Sequence, residues 1–179
     1  MKLLPFITMI LVLTSFNFQV SSMTKKIHVP SNIKTVFKPT IDDEWIGIGI
    51  SYGSYRDGES PGKNSVSTEK DILQDMMLLT TDSDVSWNLI RMYAADPASE
   101  QVLKTIKKHN LPVKVMQGAW LSSTQTNEKN EQQISEVIRL GNEYKDIVVT
   151  VNLGNEIFVD WSAHKLTISD YPKYLAWVK

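Results

Sequence analysis

A nearly unbroken apolar run, Ile147, Val148, Val149 and Val151, closes on the polar cluster Asn152, Gly154, Asn155 and Glu156 in D-I-V-V-T-V-N-L-G-N-E (Asp146 to Glu156). Continuous β-branched residues predict a parallel strand buried on both faces. Glu156 then stands at the C-terminal mouth of that strand, where barrel and doubly wound enzymes place their chemistry. On this stretch alone the carboxylate serves equally well as a strand cap or as the partner of a nearby cation.

Upstream, strand-like and helix-like patterns alternate. In W-I-G-I-G-I-S (Trp45 to Ser51), Ile46, Ile48 and Ile50 alternate with glycines, which predicts a first strand with one closely packed face. A polar, turn-rich loop follows. Ser67 reads as the N-cap of a first helix, with Glu69 and Asp71 in its first turn and Ile72, Leu73, Met76, Met77 and Leu79 at helical spacing. Trp87 to Tyr93 is a second strand. About Ser99 to His109 is a second helix, with Val102, Leu103 and Ile106 on one face and Asn110 as its stop. Pro112 to Met116 is a third strand, and Ser122 to Asn130 a polar loop. A third helix runs through Ile134, Val137, Ile138 and Gly141. After the Glu156 strand, a loop from Ile157 to Asp170 leads to an amphipathic helix that starts at Tyr171.

Four strands alternating with four helices give an α/β fold with a parallel sheet and outer helices. At this spacing the four units amount to the N-terminal half of a (β/α)8 TIM barrel, whose full length is typically ~250 residues. A small doubly wound sheet is the alternative, but no glycine-rich phosphate fingerprint follows the first strand. The chain of 179 residues is therefore expected to be truncated, ending within an element.

Composition narrows the chemistry. A net charge of −1 and 42% apolar residues fit a globular protein and give no electrostatic argument for nucleic acid. The absence of cysteine excludes disulfides, thiolate nucleophiles and cysteine-held metals, and His28, His109 and His164 lack ligand spacing. No metal or other cofactor is expected. Lys2, the apolar Leu3 to Leu13 and the small residues Val20-Ser21-Ser22 read as a cleaved signal peptide over 1–22, too short for a stable membrane span. Residues 23–44 read as a linker or N-terminal extension, and 45–179 as a partial barrel domain. A secreted protein is the expectation.

Four motifs, each at the end of an expected strand, then carry a resemblance. G-I-S-Y-G-S-Y-R-D-G-E-S-P-G (Gly49 to Gly62), L-I-R-M-Y (Leu89 to Tyr93), the G-A-W-L ending the third strand, and V-N-L-G-N-E-I-F-V-D-W-S (Val151 to Ser162) together resemble glycoside hydrolase family 17. These are β-1,3-glucanases and related transglycosylases, retaining enzymes built on an eight-stranded β/α barrel. The resemblance implies that Glu156 is the general acid/base, since a glycosidic oxygen leaves poorly unless protonated. It implies that Asn155 hydrogen-bonds the sugar 2-hydroxyl and that Arg91 orients a carboxylate, with a structural ion pair as that residue's alternative. Tyr52, Tyr93 and Trp120 would line the sugar cleft by stacking and hydroxyl contacts. Trp161, with His164, is a further substrate-binding candidate because their loop follows Glu156, and Asp57 and Glu59 belong to a solvated loop from which they could contact distal sugars. In this family the nucleophile is a glutamate on a later strand; this chain has no match to it, and Asp96 and Asp160 lack a comparable context. The implied function is a secreted retaining hydrolase of β-1,3-glucan, incomplete and lacking its nucleophile. The alternatives are a β-glucan transglycosylase with the same site or a non-catalytic carbohydrate-binding remnant.

Overall fold

The computed structural model describes residues 48–61, 66–81 and 87–178. The expected signal peptide, the 23–44 extension and the Trp45 end of the first strand lie outside the described residues. Within them the order is β1 (Gly49–Ser51), α1 (Glu69–Thr80), β2 (Leu89–Arg91), α2 (Pro97–His109), β3 (Lys114–Ala119), α3 (Asn127–Glu143), β4 (Val148–Leu153) and α4 (Tyr171–Val178). The four strands form one sheet in the order β1-β2-β3-β4, and every pairing is parallel. No helix among the described residues is long and apolar enough to cross a membrane.

Register sorts the sheet into two faces. One cross-strand row is Ile50, Ile90, Val115 and Val148; the next, pointing the other way, is Ser51, Arg91, Met116 and Thr150. Ile90, Val115 and Ala119, on the first face, are fully or nearly fully buried with Ile72 and Met76 of α1, Val102, Leu103 and Ile106 of α2, and Ile134, Val137 and Leu140 of α3. On the second face Ser51 is exposed and Arg91, Met116, Thr150 and Asn152 are half-buried. The apolar core thus sits between the sheet and its helices.

β4 departs from expectation. Val115 pairs with Val148, but Met116 pairs with Thr150, so Val149 is an extra residue in a bulge. Val148 to Asn152 are only half-buried, and Leu153 alone is buried. The run of valines looked like a strand covered on both faces, yet among the described residues β4 pairs on one side, with β3. β3, in turn, continues past Met116 to Ala119, carrying a fully buried Gln117 that the polar letter concealed.

Helix starts also move. Thr68, not Ser67, caps α1, its hydroxyl accepting from the Asp71 N–H at 3.2 Å. Ser67 is buried and its hydroxyl goes to the Ser54 carbonyl and, at 3.0 Å, to Glu59 Oε2. Asp96 begins α2 earlier than Ser99, in a reciprocal capping box with Ser99 and with proline in the first turn. Asn110 ends α2 as expected, in the left-handed conformation (φ 49°). α3 begins at Asn127 behind the cap Thr126, so the end of the polar stretch Ser122 to Asn130 is helix. Arg139 ties α3 to α2 through Glu100 at 3.2 Å, and Glu69 at the start of α1 meets Lys108 and His109 at the end of α2, each at 2.8 Å.

Candidate active site

The chain leaves β4 through a turn that ordinary residues resist. The Gly154 N–H donates to the Ala119 carbonyl at 2.8 Å, extending the β3–β4 ladder by one bond. Gly154 has φ 83°, and a Cβ there would lie 2.6 Å from Ile157 Cδ1, so both the dihedral and the space call for glycine. Two residues on, Glu156 has φ 52° with an exposed side chain. A non-glycine residue in this region costs roughly 1–2 kcal/mol. The strain persists because the surroundings hold the turn: Asn152 Nδ2 donates to the Gly154 carbonyl at 2.8 Å, and buried Ile157 accepts from the Leu166 N–H at 2.8 Å.

Asn155, between the two left-handed positions, is fixed at both ends. Arg91 Nη2 donates to its Oδ1 at 2.8 Å, and His164 Nε2 meets its carbonyl at 2.8 Å. The Arg91 guanidinium also lies over the Tyr93 ring, 4.6 Å from its centroid. Arg91 therefore orients the asparagine amide, where the resemblance implied a carboxylate. From β2 it spans β3 to the end of β4, and Asn155, not Glu156, presents the acceptor.

His164 gains a larger role than its place in the loop suggested. Its ring packs on Trp120 with centroids 4.7 Å apart, and its carbonyl accepts from the Ser123 N–H at 3.2 Å. Tyr171 OH adds a bond to the Leu153 carbonyl at 3.1 Å. The loop after Glu156 is thus fastened to the ends of β3 and β4.

Beside this cluster lies a cleft of about 570 Å³, whose walls include Tyr52, Tyr55, Tyr93, Asp96, Trp120 and Gln125. Tyr52, Tyr93 and Trp120, from the ends of three strands, come together there. Arg91, Asn155, Glu156 and Trp161 lie outside its lining. Tyr52 contributes its ring only, because its hydroxyl donates to Asp75 Oδ2 at 2.8 Å; burial first, and then that bond, push its pKa well above the ordinary tyrosine value. Trp161 is 72% exposed.

Several other acids have partners of their own. Asp96 caps α2, Asp75 pairs with Arg56 at 2.8 Å, and Asp160 reaches Lys165 at 3.4 Å. Glu59 accepts from the Arg56 N–H at 2.7 Å, so it anchors its loop; Asp57 is exposed on the turn beside Gly58.

Two further residues hold the site's walls. Gln133 Oε1 accepts from the N–H groups of Ala95 at 3.0 Å and Trp120 at 2.9 Å, while its Nε2 donates to the Ala95 carbonyl at 2.8 Å. Buried Asn130 bonds both backbone groups of Ser122, each at 2.9 Å, and Tyr174 OH at 3.1 Å. A signal for Asn130 was present: it lies four and seven residues before Ile134 and Val137, on the stripe that faces the core.

No described protein family and no curated protein matches the chain. Among solved structures it is similar to an endo-laminarinase from Formosa Hel1_33_131, with a TM-score of 0.58 and 24% identity over 73% of this chain and 36% of that one. The chain spans little more than a third of that protein's length. The likeness is one of fold, an α/β arrangement.

Proposed function

We propose that this chain carries the acid/base side of a retaining glycoside hydrolase acting on β-1,3-glucan, on a partial TIM barrel of the family 17 kind, and that it is exported. The observation that carries the reading is the Arg91–Asn155 bond beside a strained, exposed Glu156 at the end of β4. In this reading Glu156 delivers a proton to the glycosidic oxygen as the bond to the ring carbon breaks, which removes the need to expel an alkoxide. Asn155, its amide oriented by Arg91, offers its Nδ2 to the 2-hydroxyl of the same sugar, a contact that strengthens as positive charge grows on the ring. Tyr93 and Trp120 supply apolar faces for sugar rings bound further along. A retaining mechanism also needs a second carboxylate about 5–5.5 Å from the first. Asp75, Asp96 and Asp160 each have other partners, so none of these three is assigned that role. The endo-laminarinase likeness supports a glucan at a coarse level.

The test is titration calorimetry with laminari-oligosaccharides of three to six sugars. Binding that weakens about tenfold in Trp120→Ala, the scale of one lost aromatic contact, supports the sugar cleft. A several-fold change in Glu156→Gln supports contact between that carboxyl and the glycosidic oxygen. No binding at millimolar oligosaccharide sinks the proposal. One observation favours a second reading, a non-catalytic sugar-binding protein: the aromatic cleft does not include Glu156 among its walls. Binding that Glu156→Gln leaves untouched assigns that role instead.

A further inference from the structure

Trp120 and Glu156 stand apart, since the indole forms part of the cleft wall and the carboxyl does not. One side chain touches both neighbourhoods. His164, half-buried in the loop after β4, packs its ring on the Trp120 indole, with centroids 4.7 Å apart and planes tilted by 36°. Its Nε2 lies 2.8 Å from the Asn155 carbonyl oxygen. A carbonyl oxygen only accepts, so the proton sits on Nε2 and the imidazole donates. The peptide group it holds is the one that joins Asn155 to Glu156, directly before the left-handed residue.

Both sides of this bridge are braced. The Trp120 N–H donates to Gln133 Oε1 at 2.9 Å, and its carbonyl accepts from Gln125 Nε2 at 3.1 Å. The His164 carbonyl accepts from the Ser123 N–H at 3.2 Å, which ties its backbone to the chain just past Trp120. Arg91 holds the Asn155 side chain while His164 holds its backbone, so the residue before Glu156 is gripped at two points. The indole and the Asn155–Glu156 peptide are thus one imidazole apart. An amide in place of His164 would supply the donor without the ring face, and a phenyl the face without the donor.

We infer that His164 is a positioning residue that sets the separation between the Trp120 ring and the Glu156 carboxyl. What the two ends do rests on the glucan reading: a sugar ring stacks on the indole and a glycosidic oxygen meets the acid. The bridge itself is a property of the protein alone. It makes one working surface of a cleft and a carboxylate that line different ground. A ring held on Trp120 then brings its linkage to a set place, and an error of about 1 Å in such placement costs on the order of a hundredfold in rate.

The experiment is nuclear magnetic resonance on the full chain labelled with nitrogen-15. Two signals report the two ends: the Trp120 indole N–H, identified by its loss in Trp120→Phe, and the Glu156 backbone N–H, which shares a peptide group with the held carbonyl. His164→Ala is expected to move both signals. His164→Gln should move the indole signal and keep the Glu156 signal near its parent position, and His164→Phe the reverse. These two variants also carry the test should His164→Ala fail to fold. Either signal left in place by the loss of both contacts overturns the inference. Laminaritetraose is then titrated into the same samples. In the parent both signals should shift along one binding curve, and His164→Ala should bind about fivefold more weakly. In that background Glu156→Gln should change binding by less than about twofold, because the carboxyl no longer meets the linkage. Unchanged affinity in His164→Ala overturns the positioning role. A parent that binds no laminaritetraose at millimolar concentration, while the variants give the expected pattern of signals, sinks the glucan reading and leaves the bridge standing.

Discussion

Gly118→Ala isolates one close approach in the sheet. β2 ends by leaning over β3, and a Cβ built on Gly118 would lie 2.4 Å from the Met92 carbonyl oxygen, 2.5 Å from that of Tyr93 and 2.6 Å from the Tyr93 carbonyl carbon. Ordinary carbon–oxygen contacts begin near ~3.3 Å. The methyl therefore requires about 0.9 Å of movement, and all three atoms are backbone, so no side chain can rotate out of the way. Overpacking of this kind costs about 1–3 kcal/mol, and the immobile neighbours put Gly118→Ala at about 3. Alanine recovers about 0.5–1 kcal/mol by restricting the unfolded chain, which leaves a net loss of about 2 kcal/mol. With an m-value of about 2 kcal/mol/M in urea, the midpoint falls by about 1 M at unchanged m. Gly141→Ala is the internal control. In α3 its Cβ meets only Val151 Cγ1 at 3.9 Å, so the same substitution gains about 0.5–1 kcal/mol of helix propensity and raises the midpoint. Urea unfolding followed by tryptophan fluorescence reads both. Gly118→Ala within about 0.2 M of the parent, or the two variants moving the same way, refutes the close-approach argument.

Asn130→Ala strands two backbone groups of Ser122 and the Tyr174 hydroxyl in the interior; the expected loss is about 3 kcal/mol, a fall in Tm of roughly 10 °C, and a scan showing under 3 °C would contradict it. Arg91→Lys and Asn155→Ala in a double-mutant cycle should couple by about 1 kcal/mol through their 2.8 Å bond, whereas additive losses would mean that the bond contributes nothing. For Tyr52 the folded protein favours the neutral phenol, so stability is intact below the unfolded value near 10 and is lost as pH rises through the higher folded value. Tyr52→Phe should flatten the stability loss above pH ~10, though only in part, since burial also raises Tyr55, Tyr144 and Tyr171; identical slopes in urea midpoints between pH 9 and 11 would refute it.

The parts of the fold legible in the chain were those written in periodicity and caps. Ile72 and Met76, Val102 with Ile106, and Ile134 with Val137 recur at helical spacing and all face the core, and Asn110 stops α2 where its type and the basic last turn indicate. Strand limits were harder because they depend on neighbours. Gln117 is polar in sequence but buried in β3, where its amide nitrogen reaches the Ala94 carbonyl at 2.8 Å and its Oε1 has no partner among the described residues. The valines of β4 read as a doubly covered strand but are half-buried among the described residues, and no local pattern reveals how many neighbours a strand has. At the site, Arg91, Asn155 and Tyr93 all fall at strand ends in the sequence, and the structure brings them into contact. The pairing itself, guanidinium to amide, depends on reach across β3, a distance that residue spacing does not encode. Gln133 was invisible for the same reason: its three bonds join two loops that are far apart in sequence.

The left-handed backbone at Glu156 has a consequence for how this protein would change under pressure. Glycine or asparagine suits φ 52° better than glutamate does, so replacing the carboxylate relieves strain. A screen that rewards only yield or heat tolerance would therefore drift toward losing Glu156, and the sturdiest variants it returned would be the ones that lack the carboxyl to which our proposal assigns the proton. Any improved version of this chain is best judged by sequencing position 156 before anything else is celebrated.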